Sequence, residues 1–177
     1  MRHAMFVLIM VALVSCGTSG PTALPATPFP TVSTEWKTWT DVDGRVRLQY
    51  SPFWTIGRFS TADNIALFRS PYGVALSINE YPTRQPKDML AAITAGRIRD
   101  NTYKYLNEET TQVTVGGTNG YLLSSEIIPR DNSTTEHSRN LVWMGYARVT
   151  TWTFSATGPG MWDRSEIDKM IASVEFL

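Results

Sequence analysis

The chain has 177 residues, sixteen Lys and Arg against sixteen Asp and Glu, and a single cysteine, Cys16. A neutral balance with no basic stripe excludes the phosphate-neutralising surface that nucleic-acid binding requires. One thiol excludes a disulfide framework within the chain, and the about 143 residues from position 35 onward suffice for one domain with one core.

Residues 1–15 read as an export signal. Arg2 is a short basic region, and Ala4 to Val14 are eleven apolar residues without a charge. A helix needs about 20 apolar residues to span a bilayer, so this run is too short to remain as an anchor. It ends in Leu13-Val14-Ser15-Cys16, which resembles the lipobox of bacterial lipoproteins. The resemblance implies cleavage between Ser15 and Cys16, with the Cys16 thiol carrying a diacylglyceryl group and the new amino end open to acylation. One acyl chain binds membranes only marginally, whereas two or three hold stably. The alternative is an ordinary secretory signal with a free thiol, a liability in an oxidising compartment. Removing the signal takes Arg2 and leaves one net negative charge.

Residues 16–34 follow as a lipidated Cys and a tether. Gly17 to Ser33 holds four prolines and six Ser or Thr and no charge, a composition that cannot bury enough apolar area to offset its ordering entropy. Extended at ~3.1 Å per residue, such a tether reaches up to ~50 Å from a bilayer. The expected location is the extracytoplasmic face of the cell membrane, with the protein held by membrane lipid through Cys16. Gly17 offers no acidic retention signal, so by analogy a two-membrane host would send it to the outer membrane.

From residue 35 to 177 the chain reads as an α+β domain. Period-two alternation marks half-buried strands in "RVRLQY", "FWTIGRF", "NIALFRS", "GVALSINEY", "TTQVTV", "GYLLSSEII", "RNLVWMGYA" and "RVTTWTFSA". Short turns separate them, so neighbours are expected to be antiparallel, in one sheet. "QPKDMLAAITAGRIRDN" changes period. Pro86 and Asp88 suit a first helical turn, and Met89, Leu90, Ile93 and Arg97 fall near one face. "DRSEIDKMIASVEFL" has a capping-box-like Asp163 and Glu166, then Ile167, Met170, Ile171 and Val174 at the spacing of a buried stripe.

The order of these elements resembles the PsbP-like proteins over about Trp36 to Phe176. The resemblance rests on Tyr50, Pro52 and Trp54, and on an ending in which Trp152 and Phe154 lead through Ser155-Ala156 and Gly158-Pro159 to Trp162 and a helix closing on Ser173-Val174-Glu175-Phe176. It implies an α/β/α sandwich with a central antiparallel sheet, a middle helix and a C-terminal helix packed on it. The family includes extrinsic subunits and assembly factors of photosystem II, bacterial lipoproteins and nuclear proteins that bind the GTPase Ran. It therefore implies a non-catalytic protein that binds or helps assemble an envelope complex, with no cofactor. These are core and turn positions, which speak for fold more than for function.

Chemistry-bearing constellations are sparse. Asp131, Glu136 and His137, in "RDNSTTEHSRN", offer oxygen and nitrogen ligands to a divalent ion, or else form a solvated hairpin tip. The carboxylates Asp41, Asp43, Glu108, Glu109, Asp163, Glu166 and Asp168 suffice in number for a glycosidase-like pair and equally for an ordinary surface. "VGGTNGY" lacks the lysine of a phosphate loop and precedes a strand, so a hairpin turn is expected. Trp54, Trp143 and Trp152 read as core, and Trp162 as a staple for the last helix. Trp36 and Trp39 either pin the start of the domain to the sheet or present an aromatic patch to a partner. The second functional reading is a small-ligand or metal-ion carrier at the envelope.

Overall fold

The computed structural model describes residues 34–57, 64–131, 137–159 and 163–177. The signal, Ser15, Cys16, residues 16–33 of the tether, Glu136 and Trp162 lie outside the described residues. In chain order the elements are β1 (Lys37–Thr40), β2 (Val46–Tyr50), β3 (Thr55–Gly57), β4 (Asn64–Arg69), β5 (Ala75–Pro82) and α1 (Pro86–Arg99). There follow β6 (Tyr103–Val115), β7 (Thr118–Pro129), β8 (Ser138–Ala147), β9 (Thr150–Pro159), α2 (Ser165–Ala172) and β10 (Glu175–Phe176).

Among the described residues, seven strands form one sheet in the order β3-β4-β5-β9-β8-β7-β6, each antiparallel to its neighbour. Three more form a separate sheet, β1-β2-β10, so the expectation of a single sheet is corrected. The physical reason is length. Strands of four and two residues are too short to show a period, yet each carries an aromatic, Trp39 or Phe176, that packs against the core.

Alternation along β8 shows how the large sheet serves two cores. Leu141 and Trp143 join the main cluster with Phe68, Leu76, Ile78 and Phe154, closed by Val46 and Leu48 of β2 and by Ile167, Met170 and Ile171 of α2. Val142 and Met144 point the other way and meet Met89 of α1, with Leu90 and Ile93 alongside. Each such side chain contributes about 1.5–3 kcal/mol on burial. Arg97, on the same helix face, is only 6% exposed. Its guanidinium donates to Glu108 at 2.6 Å and to Asn140, and lies 4.6 Å from the Tyr105 ring centre, so a buried cation closes the inner end of α1.

Two turns show how local sequence sets register. Gly116 and Gly117, with φ of +57° and +77°, make the tight turn that pairs Val115 with Thr118. The turn from Ala147 to Thr150 asks the same of Arg148 and Val149, at φ of +51° and +63°. A β-branched residue there is strained by about 1–2 kcal/mol. Val149 is exposed, so little packing opposes its removal. Val149→Gly is therefore expected to raise stability by about 0.5–1 kcal/mol after the added chain entropy of glycine. Thermal unfolding checks this, and a lowered Tm would contradict it.

The start of α2 departs from the capping box. Arg164 stands at the N-cap in a helical conformation with no side-chain cap, and Asp163 instead takes the Ser165 N–H at 2.9 Å. Glu166 is engaged elsewhere, because the buried Trp54 indole N–H needs an acceptor and finds Glu166 Oε2 at 2.9 Å.

Candidate functional site: an aromatic groove

An open groove of about 490 Å³ is lined by the aromatic and proline residues Trp36, Phe53, Pro71 and Tyr72 and by the polar residues Asp163, Ser165, Glu166 and Lys169. Each aromatic is delivered by a short device. Phe53 rides the Ser51–Trp54 turn, closed by Trp54 N–H to Ser51 O at 3.1 Å, and is 53% exposed. Tyr72 sits on the Ser70–Val74 loop, whose Ser70 Oγ accepts from the N–H groups of Tyr72 and Val74 at 3.2 and 3.0 Å. It is 79% exposed. Trp36 is half-buried against the main core, and the Lys169 ammonium lies 4.2 Å from its ring centre.

The polar part of the lining comes from α2 and the residues just before it. Asp163 takes both the backbone N–H and the hydroxyl of Ser165, and these hydrogen bonds hold its carboxyl below the usual carboxylate range. Among the described residues lining the groove, Lys169 is the one cation against two carboxylates.

Trp39, paired in the sequence with Trp36, is placed differently. It packs edge-to-face on the buried Phe68, with ring centres 5.6 Å apart. Trp54, Trp143 and Trp152 are buried in the main cluster. Phe53 and Tyr72 were not singled out by the sequence reading. Each follows a proline in a turn, Pro52-Phe53 and Pro71-Tyr72; the proline marks the turn but does not tell whether the aromatic after it is exposed.

A second cleft, of about 560 Å³, lies at the start of α1, among Gln85, Pro86, Lys87, Thr114, Tyr121 and Tyr146. Gln85 donates to the Tyr146 hydroxyl at 2.8 Å at its rim. Of the expected metal ligands, His137 is exposed, with Nδ1 2.7 Å from Glu126 Oε2. The bonds to His137 and Asn107 hold the Glu126 carboxyl low. Asp131 is exposed at the end of β7. Among the described residues, no three His, Cys, Asp or Glu side chains converge as a metal site.

Of the carboxylates considered for a catalytic pair, Asp41, Asp43, Glu108, Asp163, Glu166 and Asp168 have structural partners. Asp41, Asp43 and Glu80 all bind Arg45, Glu108 binds Arg97, and Asp168 binds Arg164 at 2.7 Å. Among the described residues, no helix is long and apolar enough to cross a membrane.

No family model matches the chain, and no curated protein matches it by sequence. Solved structures do. The chain is similar to the cyanobacterial PsbP (CyanoP) of Synechocystis at 15% identity, over 85% of this chain and 98% of that one, with a TM-score of 0.61. It is similar to a protein of Bacteroides thetaiotaomicron at 14% identity and a TM-score of 0.56, over 80% of this chain and 48% of that one. It is also similar to the Ran-binding protein Mog1p of Saccharomyces cerevisiae, at 10% identity and a TM-score of 0.53, over 81% and 96% of the two chains. At these identities the likeness defines the fold. The domain is PsbP-like, a mostly antiparallel sheet with two helices.

Proposed function

We propose that this chain is a lipid-anchored, non-catalytic binding module whose domain docks an envelope protein or complex through the groove at Trp36. The observation that carries the reading is that Phe53 and Tyr72, both more than half exposed, line one groove together with Trp36. Exposed aromatics gathered in one groove are the usual anchors of protein association. Trp39 packs on Phe68 and is not part of the groove lining. Acylated Cys16, freed by cleavage after Ser15, holds the protein to the extracytoplasmic face of the membrane; residues 16–34 tether it and residues 35–177 bind. The PsbP-like fold supports this, since the similar Mog1p is a Ran-binding protein.

Two measurements test it. A photo-crosslinking residue at Tyr72, in native membranes, is expected to capture one membrane protein and to lose it when Trp36→Ala is added. The same probe at Ile98, exposed on α1, serves as control. Equal capture from both positions would refute the groove. For the anchor, Cys16→Ser is expected to release the protein with its domain intact; full retention through high-salt washing would refute lipid attachment.

The second cleft favours one other reading, a small-ligand carrier, to which a metal held by Asp131, Glu136 and His137 would also belong. A ligand-dependent rise in Tm would select it.

A further inference from the structure

We infer that the groove recognises an extended, proline-rich segment that carries a basic residue. This deepens the docking reading and rests on it.

Three features select that chemistry. First, Trp36, Phe53, Pro71 and Tyr72 line one open groove, and aromatic-lined grooves take the ridges of a polyproline II helix. Such a segment is already extended and loses little entropy on docking, so it suits an open groove whose contacts come from aromatic faces and a few fixed polar groups. Second, Asp163 and Glu166 share the lining with one ammonium, Lys169, and that ammonium is drawn over the Trp36 ring at 4.2 Å. The uncompensated charge at the α2 end is negative and calls for a cation on the partner. Third, the acidic end stays fixed, because Ser165 holds Asp163 and Trp54 holds Glu166. A fixed carboxylate pays no ordering entropy when an arginine arrives. The same charge argues against a membrane as occupant, since anionic headgroups would be repelled.

The test uses the full chain carrying Cys16→Ser, titrated with a peptide of sequence Arg-Pro-Leu-Pro-Pro-Leu-Pro and followed by tryptophan fluorescence. Saturable binding is expected. It is expected to weaken by about tenfold or more when the peptide's Arg is replaced by Glu, and by a similar factor in Tyr72→Ala and Asp163→Asn. Tyr72 is largely exposed, and Asn keeps an oxygen for the Ser165 N–H, so neither variant threatens the fold. Raised salt is expected to weaken the Arg peptide and not the Glu peptide.

Absence of binding up to about 1 mM peptide would overturn the inference. Equal affinity for the Arg and Glu peptides would do so as well. So would flotation with anionic vesicles that depends on Tyr72 while the peptide is inert, which would make the occupant a lipid surface. If the peptide fails but the crosslinker at Tyr72 still captures its partner, the docking reading stands and only the polyproline chemistry falls. If both fail, both fall.

Discussion

Gly120→Ala is expected to destabilise the domain by about 3 kcal/mol, among the larger effects a single methyl group can have in an antiparallel sheet. A β-carbon built at Gly120 would lie 1.9 Å from the carbonyl oxygen of Met144 and 3.0 Å from its carbonyl carbon. Those atoms are backbone of β8, fixed by pairing on both sides, with β7 at Tyr121↔Met144 and with β9 at Met144↔Thr153. Relief requires β7 and β8 to part locally, which breaks ladder hydrogen bonds and opens the cluster of Leu123, Val142 and Met144 beneath α1. Gly96→Ala supplies the opposite sign from the same chemical change. Gly96 lies inside α1, and its β-carbon would meet nothing within 4 Å. Alanine there is expected to stabilise by about 0.8–1 kcal/mol. Urea unfolding of both variants measures the pair. Equal midpoints would mean that β7 and β8 do not approach this closely.

The close approach at Gly120 belongs to a wider pattern that sequence reading does not reach. Gly116 and Gly145 leave space that the Phe176 ring fills, at 2.5 and 3.0 Å from their built β-carbons. Phe176 pairs with Val46 of β2 and packs near Trp152, so the last residues of the chain join the two sheets. What was legible is what repeats. Val46, Leu48 and Tyr50, or Val74, Leu76 and Ile78, show period two, and Met89, Leu90, Ile93 and Arg97 show the helical period. Strands β2 and β5 and both helices follow from those patterns, whereas the Tyr103–Glu109 part of β6 lies outside the run read as a strand. What was hidden is set by single contacts between distant positions. Arg97 could be placed on the inner face of α1, but not against Glu108 and Asn140. Glu166 looked like half of a capping box, yet it answers the indole of Trp54, 112 residues away. In the groove, Trp36 was legible as an aromatic at the domain's edge. Its companions were not: Phe53 falls in a run that alternates like a strand but sits in a turn, and burial alone separates those two cases.

Asp41→Ala is expected to cost about 3 kcal/mol at neutral pH, and the loss is expected to shrink as the solution is acidified. Asp41 is 4% exposed. Its Oδ1 accepts the Arg45 N–H at 2.5 Å and the Val46 N–H at 3.0 Å, and its Oδ2 accepts Arg45 Nε at 2.9 Å. Arg45 in turn binds Glu80 of β5 at 2.5 Å and lies 5.3 Å from the Trp152 ring centre, while its carbonyl accepts the N–H of Leu177 at 2.9 Å. One turn thus joins the β1–β2 hairpin, the large sheet and the chain's end. Removing the carboxylate leaves the Arg45 and Val46 N–H groups without their acceptor and takes one of three carboxylates from the Arg45 guanidinium, which keeps Asp43 and Glu80. The figure sits at the low end for a broken buried pair because the Arg45 side chain keeps 30% exposure. Burial alone would raise the Asp41 carboxyl, but the hydrogen bonds from Val46 and Arg45 and the Arg45 charge outweigh it and hold the group below its ordinary value. With the folded value below the unfolded one, near ~3.9, the stabilisation is fully present above that pH and is lost as pH falls through the folded value. Wild type and variant should therefore differ most above about pH 5 and converge only as the pH falls through the lowered folded value, where wild type also comes to carry a neutral side chain. Urea midpoints across that range decide it. A gap that stays constant would show that Asp41 acts through its shape in the turn and not through its charge.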